Sequence, residues 1–153
     1  VEMVGLCDIN KKRVEVAREM IGVEASTYHS SDFDKMIAEQ KPDMVIVTTT
    51  DCYHVAYIIR AMELGCDVIS EKPIATEADQ CQRILDAENK TGRKVYVGFN
   101  VRHMNESMEM KRIINSGELG KIISIDYHEY LDTQHGASYF RRWHGKIKYS
   151  GSS

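Results

Sequence analysis

Four groups of polar residues in this chain could bind or react with a small molecule. They comprise Asp8, residues 48–51 with His54, residues 71–72, and residues 100–102. Carboxylates accept hydrogen bonds from sugar hydroxyls, backbone N–H groups at a helix start bind phosphate, and a lysine can transfer a proton. Each group follows an apolar run, and the carboxyl ends of parallel strands share one edge of a sheet. We therefore expect the four groups to lie at one binding edge.

Lys72 is the candidate for acid–base chemistry. It stands in the tripeptide Glu71-Lys72-Pro73, directly after an apolar run. Beside an oxidised nicotinamide, which is also positive, its ammonium could release a proton and relay it while a hydride leaves a carbinol carbon. The alternative is a surface lysine in a turn that pairs with Glu71. The tripeptide by itself leaves both interpretations open.

Asp8 could hold a nucleotide, because it ends the first apolar run. A carboxylate at that position can accept hydrogen bonds from both hydroxyls of an adenosine ribose. It could equally be the N-cap of a helix over residues 10–21. Asn10 and the basic residues 11–13 could contact the 2′-phosphate of NADP or form a solvated helix face. NAD and NADP therefore both stay open.

Thr48, Thr49 and His54 border the turn into a helix expected over residues 54–64. Backbone N–H groups and the positive end of the helix dipole favour a phosphate at such a turn. The alternative is ordinary capping of the same helix.

Short apolar runs alternate with amphipathic segments over the first hundred residues. The runs predict strands over residues 1–7, 25–28, 44–47, 66–70 and 94–99. The segments predict helices over residues 10–21, 30–39 with its N-cap, 54–64 and 76–91. This alternation predicts an α/β fold with a doubly wound parallel sheet. Residues 44–47 are apolar without interruption, which is typical of a strand buried on both faces.

The pattern changes in the last third of the chain. A helix is expected over residues 105–116, and the apolar and polar residues of 121–131 alternate, as in an antiparallel strand with one buried face. Residues 132–153 are expected to be loop-like. We therefore predict one domain over residues 1–102 and the beginning of a second over residues 103–153.

The composition excludes several classes of protein. The chain has 153 residues, a net charge of −3, 42% apolar and 28% charged residues, which excludes a disordered tail, a collagen-like fibre and a disulfide scaffold. The charge balance argues against a nucleic-acid-binding protein. No stretch approaches the roughly 18 apolar residues of a membrane helix, and we expect no membrane partner. The four cysteines form no CxxC pair, which favours reduced thiols and a cytoplasmic location.

The histidines do not predict a metal site. His103, His128, His135 and His144 have spacings of 25, 7 and 9 residues, which match no zinc motif. Residues 139–148 mix aromatic and basic side chains in the manner of a nucleic-acid patch. In an acidic chain, we favour a loop that binds a sugar or covers a cofactor.

Three segments together resemble the Gfo/Idh/MocA family, the NAD(P)-dependent enzymes of the glucose–fructose oxidoreductase and inositol dehydrogenase type. They are residues 50–54 (TDCYH), 68–75 (VISEKPIA, with the EKP motif) and 98–102 (GFNVR). The similarity covers essentially the whole chain, and the spacing of several motifs makes it specific. It implies a Rossmann domain followed by an α/β domain with a large, mostly antiparallel sheet.

The resemblance implies contacts with NAD or NADP. Asp8 would hold the adenosine ribose. Thr48, Thr49 and His54 would line the ribose and phosphate side of the cofactor, and Glu71 would approach the nicotinamide ribose.

The resemblance also implies a catalytic centre. Lys72 would be the catalytic lysine, touching substrate and nicotinamide, with a cis bond before Pro73. Arg102, Arg142 and Trp143 would flank the active site and bind the substrate, and Arg102 would also contact the cofactor. The activity would be hydride transfer between nicotinamide and a sugar, cyclitol or related polyol. The alternatives are an NAD-dependent glycoside hydrolase without net redox change and a non-catalytic nucleotide-binding relative.

Compared with the family pattern, this sequence resembles a fragment. The Gly-rich loop and the first strand would precede residue 1, and distal active-site residues would follow Ser153. Without that central strand, the strand over residues 1–7 would have no partner joining it to the strand over residues 43–49, and two apolar edges would be exposed. We expect the piece alone to be inactive, and the full-length protein to be a homo-oligomer, a dimer or a tetramer.

Overall fold

The computed structural model describes residues 1–151, apart from the side chains of His135 and Ser138, and has an α/β arrangement. Its strands are β1 (Gly5–Asp8), β2 (Ser26–His29), β3 (Met44–Val47), β4 (Asp67–Ser70) and β5 (Val95–Val97). Its α-helices are α1 (Lys11–Ile21), α2 (Phe33–Gln40), α3 (His54–Glu63), α4 (Ala78–Thr91), α5 (Asn105–Ser116), α6 (Thr133–Arg141) and α7 (Ile147–Ser150). Short 3₁₀ turns occupy Ser30–Asp32, Asp51–Tyr53, Asn100–His103 and Trp143–Gly145.

The strands form two separate parallel sheets, as expected. β1 pairs with β2, and β3, β4 and β5 pair in that order. In the second sheet Val45 lies opposite Val68, and Ile69 lies opposite Tyr96. No described strand joins β1 to β3, so the predicted division of the sheet is confirmed. The α-helices between successive strands confirm the predicted β-α alternation.

The hydrophobic core lies between the second sheet and helices α2, α3 and α4. Ile58, Met62 and Val68 have at most 1% of their surface exposed, and each such burial contributes about 1.5–3 kcal/mol to folding. The ring of Phe33 on α2 meets Tyr57 on α3 edge to face, with centroids 5.2 Å apart. This packing holds α3 against β3 and β4.

One face of β3 is open, which corrects the prediction of a strand buried on both faces. Val45 and Val47 are buried, whereas Met44 and Ile46 are exposed, so burial alternates along the strand. Tyr96 on β5 is 54% exposed. An uninterrupted apolar run suits a strand with both faces buried, but a face is buried only where a helix or another part of the chain packs over it.

The antiparallel strand predicted over residues 121–131 is wrong. The structure has no strand there, and side chains from both alternating sets are exposed, including Ile123 and Tyr130. A strand satisfies its N–H and C=O groups through a neighbouring strand, and no described strand pairs with this segment. The division into domains at residues 102 and 103 stays a prediction.

Residues 132–151 are not the loop that we predicted, because they contain α6, a 3₁₀ turn and α7. Helix α7 packs against the turn Asp51–Tyr53. Gly151 lies so close to Thr76 that a Cβ atom on it would be 2.6 Å from the Thr76 Cβ. This part of the chain therefore lies against the turn before α3 and the loop after β4. No helix in the described part of the chain is long and apolar enough to cross a membrane.

We expect the isolated 153-residue chain to unfold over a broad temperature range rather than in one sharp transition. Its two sheets are not joined by a strand, and apolar side chains such as Met44 and Ile46 remain exposed. The two sheets are therefore expected to unfold separately rather than in one cooperative step. Differential scanning calorimetry measures this, with the full-length protein as the control. A calorimetric enthalpy equal to the van't Hoff enthalpy for the short chain would contradict the expectation.

Candidate functional site

The carboxyl ends of β3, β4 and β5 lie side by side and carry three of the four predicted polar groups. Val47 is paired with Ser70, and Ser70 is paired with Val97. The residues that follow these three positions therefore leave the sheet at one edge. Thr48 and Thr49 come from the first strand, Glu71 and Lys72 from the second, and residues 98–102 from the third. Asp8 ends β1, which belongs to the other sheet.

Thr48 and Thr49 are exposed, and they do not cap a helix. The residue that precedes α3 is Tyr53, and the one that precedes the 3₁₀ turn is Thr50; neither makes a side-chain capping bond. The capping alternative for the two threonines is therefore wrong. Their side chains face solvent at the edge where a ligand of a parallel sheet binds.

His54 is completely buried at the first position of α3. Its Nδ1 atom lies 2.7 Å from the Pro73 carbonyl oxygen, and its Nε2 atom lies 3.0 Å from the Thr49 carbonyl oxygen. Both ring nitrogens thus face backbone oxygens. Direct contact of this ring with a cofactor stays a prediction, which its burial does not favour.

Glu71 and Lys72 adopt a constrained turn after β4. The Lys72 N–H donates to the Glu71 Oε2 at 3.0 Å, and the Glu71 N–H donates to the Val47 carbonyl at 2.9 Å. The Lys72–Pro73 peptide bond is cis, as the resemblance implies. The side chain of Lys72 is exposed, and no described carboxylate lies within ion-pair distance of it. The salt bridge with Glu71, which belonged to the alternative interpretation, is therefore absent among the described residues.

Gly98 is a site residue that sequence reasoning missed. A Cβ atom at this position would lie 2.9 Å from the Glu71 Oε2 and 3.4 Å from the Ser70 carbonyl oxygen. The signal was present in the sequence, because a glycine at the end of a strand often marks a close backbone approach. The missing side chain leaves room for the carboxylate of Glu71.

Asp51 lies near ionisable side chains from three segments of the chain. It is buried, and burial raises the pKa of its carboxyl, while the neighbouring His54, His144 and Lys72 lower this pKa. His144 lies in the turn before α7, and its ring stacks on Trp143 at 3.7 Å between centroids. The last described turns of the chain therefore lie near the loops that carry Lys72.

Asp8 and Asn10 form a turn at the beginning of α1. The N-cap is Asn10, whose Oδ1 accepts from the backbone N–H groups of Lys12 and Arg13, so the N-cap alternative for Asp8 is wrong. The Asp8 Oδ1 accepts from the Asn10 N–H at 2.7 Å. The other oxygen, Oδ2, lies 4.0 Å from the Arg13 guanidinium. One carboxylate oxygen thus faces a partly exposed cation.

The remaining predicted residues are exposed or half-buried. Arg102 lies in the turn Asn100–His103, with its guanidinium 5.4 Å from the centre of the Phe99 ring. Arg142 is exposed and Trp143 is half-buried.

The described side chains contain no group of three or more His, Cys, Asp or Glu residues that could hold a metal ion; the side chain of His135 lies outside them.

The four cysteines are free. Burial raises the pKa values of Cys52 and Cys66, and burial together with Asp8 and Asp32 raises the pKa of Cys7 to about 11. These three thiols are therefore protonated at neutral pH and are not nucleophiles.

Because the resemblance implies that Glu71 contacts the cofactor, we expect Gly98→Ala to weaken nucleotide binding by about tenfold with little change in Tm. The added methyl group would displace the Glu71 carboxylate, and a hydrogen bond to a charged group is worth about 1.5–3 kcal/mol. Isothermal titration of the full-length protein with NAD measures the effect. In a Glu71→Ala background, Gly98→Ala should cost almost nothing further, because the two changes act on one contact. Equal losses in both backgrounds would contradict this mechanism.

A family model described as “Oxidoreductase family, NAD-binding Rossmann fold” matches residues 1–99. That range contains β1 to β5 and the helices between them. It therefore includes the strand ends that carry most of the candidate site.

Similar curated proteins are oxidoreductases by name. The Bacillus subtilis protein “Putative oxidoreductase YteT” is 40% identical over 152 residues, which are 98% of this chain and 36% of that protein. The “Inositol 2-dehydrogenase” of Salmonella paratyphi B is 33% identical over 131 residues, 85% of this chain and 38% of that protein. The chain thus spans little more than a third of the length of these relatives.

Solved structures of similar fold are dehydrogenases or oxidoreductases. Aldose-aldose oxidoreductase from Caulobacter crescentus, complexed with glycerol, has a TM-score of 0.80 at 23% identity, covering 99% of this chain and 44% of that chain. The WlbA dehydrogenase from Bordetella pertussis, in complex with NADH and UDP-GlcNAcA, has a TM-score of 0.71 at 27% identity, covering 79% and 35%. These likenesses confirm the predicted Rossmann-type fold.

Proposed function

The chain belongs to the Gfo/Idh/MocA family of oxidoreductases, whose matched domain is an NAD-binding Rossmann fold, and from this membership we propose the activity of the full-length protein. It transfers a hydride between a nicotinamide cofactor and a sugar, cyclitol or related polyol. The inositol 2-dehydrogenase that is 33% identical to this chain supports a polyol substrate.

The observation that carries this proposal is the shared edge of β3, β4 and β5. The pairing of Val47, Ser70 and Val97 places the exposed threonines beside the Glu71–Lys72 turn. The side chains proposed to bind the nucleotide and the amine proposed to transfer the proton thus come from adjacent strand ends. The absence of a side chain at Gly98 leaves room for the Glu71 carboxylate, the group that would approach the nicotinamide ribose.

Cofactor binding is assigned to residues on both sheets. Asp8 would accept hydrogen bonds from the adenosine ribose with its Oδ2 atom, because Oδ1 is already bonded to the Asn10 N–H. Thr48 and Thr49 would contact the ribose and phosphate groups, and Glu71 the nicotinamide ribose. A bound nicotinamide supplies the hydride acceptor or donor, which no side chain of the chain can provide.

Lys72 is the proposed catalytic residue. In its neutral form, the Nζ atom would hydrogen bond to the reacting hydroxyl of the substrate and take its proton while the carbon loses a hydride. The product is a carbonyl, and the lysine is left as an ammonium. In the reverse direction, the ammonium returns the proton to the carbonyl oxygen. The bond from the Lys72 N–H to Glu71 holds the backbone of this residue in place.

The substrate side is assigned to Arg102, Arg142 and Trp143. Each could bind a hydroxylated ring, the arginines through donated hydrogen bonds and the tryptophan through stacking. The packing of α7 on the turn Asp51–Tyr53 supports a location for the last two near the lysine.

The test is to titrate the full-length protein with NAD and NADP and to assay a panel of cyclitols and sugars by the absorbance of the reduced cofactor. We expect nucleotide binding and net reduction with at least one polyol. Nucleotide binding with sugar cleavage but no free reduced cofactor would favour the glycoside hydrolase instead. Binding without any turnover would favour a non-catalytic relative, and no binding at all would refute the proposal.

We further propose that the full-length protein is a cytoplasmic homo-oligomer, a dimer or a tetramer. The free cysteines fit a reducing compartment. The exposed apolar side chains between residues 121 and 131 fit a surface that becomes buried on assembly. Light scattering of the full-length protein measures the oligomeric state.

A further inference from the structure

The ring of His54 lies within hydrogen-bond distance of two different loops. It lies at the first position of α3, where it has no exposed surface. One ring nitrogen lies 3.0 Å from the carbonyl oxygen of Thr49, in the loop after β3. The other lies 2.7 Å from the carbonyl oxygen of Pro73, in the loop after β4. A single rigid ring therefore spans the gap between two strand ends.

Each of the two loops carries one half of the proposed chemistry. The loop after β3 presents Thr48 and Thr49, the proposed cofactor contacts. The loop after β4 presents Lys72. The Lys72 N–H donates to the Glu71 carboxylate, and the next residue, Pro73, carries the carbonyl oxygen that faces the His54 ring. The distance between the bound nucleotide and the lysine amine thus depends on how these loops are fixed relative to each other.

The number of N–H groups on the His54 ring determines how many of the two hydrogen bonds it makes. A backbone carbonyl only accepts, so each of the two bonds needs an N–H group on the imidazole. A neutral ring carries one N–H and makes one of the bonds, whereas the doubly protonated ring makes both. Charged and titratable groups in the surroundings are Asp51, buried in the preceding turn, and Lys72 and His144, whose charges act on the same carboxyl.

We propose that His54 is a positioning residue that couples the cofactor loop to the lysine loop, an inference that rests on the proposed function. Its ring sets the spacing between Thr49 and Pro73 without touching the substrate. Removing either hydrogen bond should release one loop and leave the other in place. A purely space-filling role would release both loops together.

Two substitutions separate the bonds. The side-chain nitrogen of asparagine lies close to the place of the histidine Nδ1, and that of glutamine lies close to the place of Nε2. His54→Asn is therefore expected to keep the bond to Pro73 and lose the bond to Thr49, whereas His54→Gln is expected to do the reverse. Ile58→Val, one turn later on α3 and equally buried, is the matched control for packing.

The first measurement is amide hydrogen exchange on the full-length protein without ligands. His54→Asn should speed exchange in residues 48–51 and leave residues 72–76 as in the wild type, and His54→Gln should show the opposite pattern. Ile58→Val should show neither pattern. Equal changes in both loops for both variants, or none, would overturn the proposal, and this readout does not need any activity.

The second measurement is steady-state kinetics with a substrate found in the polyol panel. His54→Asn should raise the KM for the nucleotide with kcat nearly retained, whereas His54→Gln should lower kcat by up to ~100-fold, the cost of a displaced catalytic group. If the wild type binds no nucleotide, the proposed function fails, and the exchange pattern still decides the role of His54. If the wild type is active and both variants show the same decrease in kcat and the same increase in KM, the positioning role fails while the function stands.

Discussion

Lys72→Met is expected to lower kcat of the full-length protein by about 10²–10⁴-fold, which is the usual contribution of a positioned acid–base group. Methionine fills similar space and cannot carry a proton. Nucleotide affinity should change little, since most of the proposed cofactor contacts come from other residues, namely Asp8, Thr48, Thr49 and Glu71. The measurement combines the rate of NAD reduction at saturating polyol with titration calorimetry for NAD.

Two controls separate proton transfer from charge. Lys72→Arg keeps a positive charge, but a guanidinium does not release its proton in this pH range, so its kcat should be nearly as low as that of the methionine variant. Lys35→Met removes a lysine that is 64% exposed on α2, and it should leave the kinetics unchanged. A Lys72→Arg enzyme with wild-type kcat would show that the residue supplies charge only.

The elements that position the site were predictable because their signal is local. The uninterrupted apolar run 44–47 and the amphipathic segment that follows predicted β3 and α3 with their order. The rule that parallel strands share a carboxyl edge then predicted that Thr48 and Lys72 would emerge together. None of these steps needs knowledge of what the segments pack against.

The errors concern features that depend on a partner. The alternation in residues 121–131 describes a segment able to form a strand, yet no described strand pairs with it, so it does not form one. The same reason explains the open face of β3, where Ile46 is 55% exposed. Gly98 and the contact of His54 with Pro73 depend on segments that are distant in sequence, since Gly98 is 27 residues from Glu71 and His54 is 19 residues from Pro73. Spacing alone does not reveal such contacts.

The arrangement of the site divides two tasks between rigid and exposed groups. The buried His54 and the carboxylate of Glu71 make short bonds to the backbone of the loops, whereas Thr48, Thr49 and Lys72 have exposed side chains. The groups that hold the loops are thus shielded from solvent or bonded, and the side chains proposed to meet a ligand are exposed. The preorganised backbone limits the reorganisation that accompanies reaction.

The second prediction with a large effect concerns cofactor choice at Asp8. Asp8→Ser is expected to shift the ratio of NAD to NADP affinity by about 100-fold towards NADP. In the proposed site the carboxylate would accept hydrogen bonds from the ribose, each worth about 1.5–3 kcal/mol when the acceptor is charged, and it would repel a 2′-phosphate. The Arg13 guanidinium, now 4.0 Å from the Asp8 Oδ2, would lose its carboxylate neighbour and pair with the phosphate instead.

Titration of both nucleotides against three variants of the full-length protein tests this mechanism for Asp8. Asp8→Asn keeps an oxygen for the Asn10 N–H and removes the charge, so it should reproduce most of the shift if charge decides the choice. Adding Arg13→Ala to Asp8→Ser should remove the gain in NADP affinity and leave the loss of NAD affinity. If Asp8→Ser binds both nucleotides as the wild type does, the carboxylate serves only the turn before α1. Cofactor choice would then have to come from other residues of the protein.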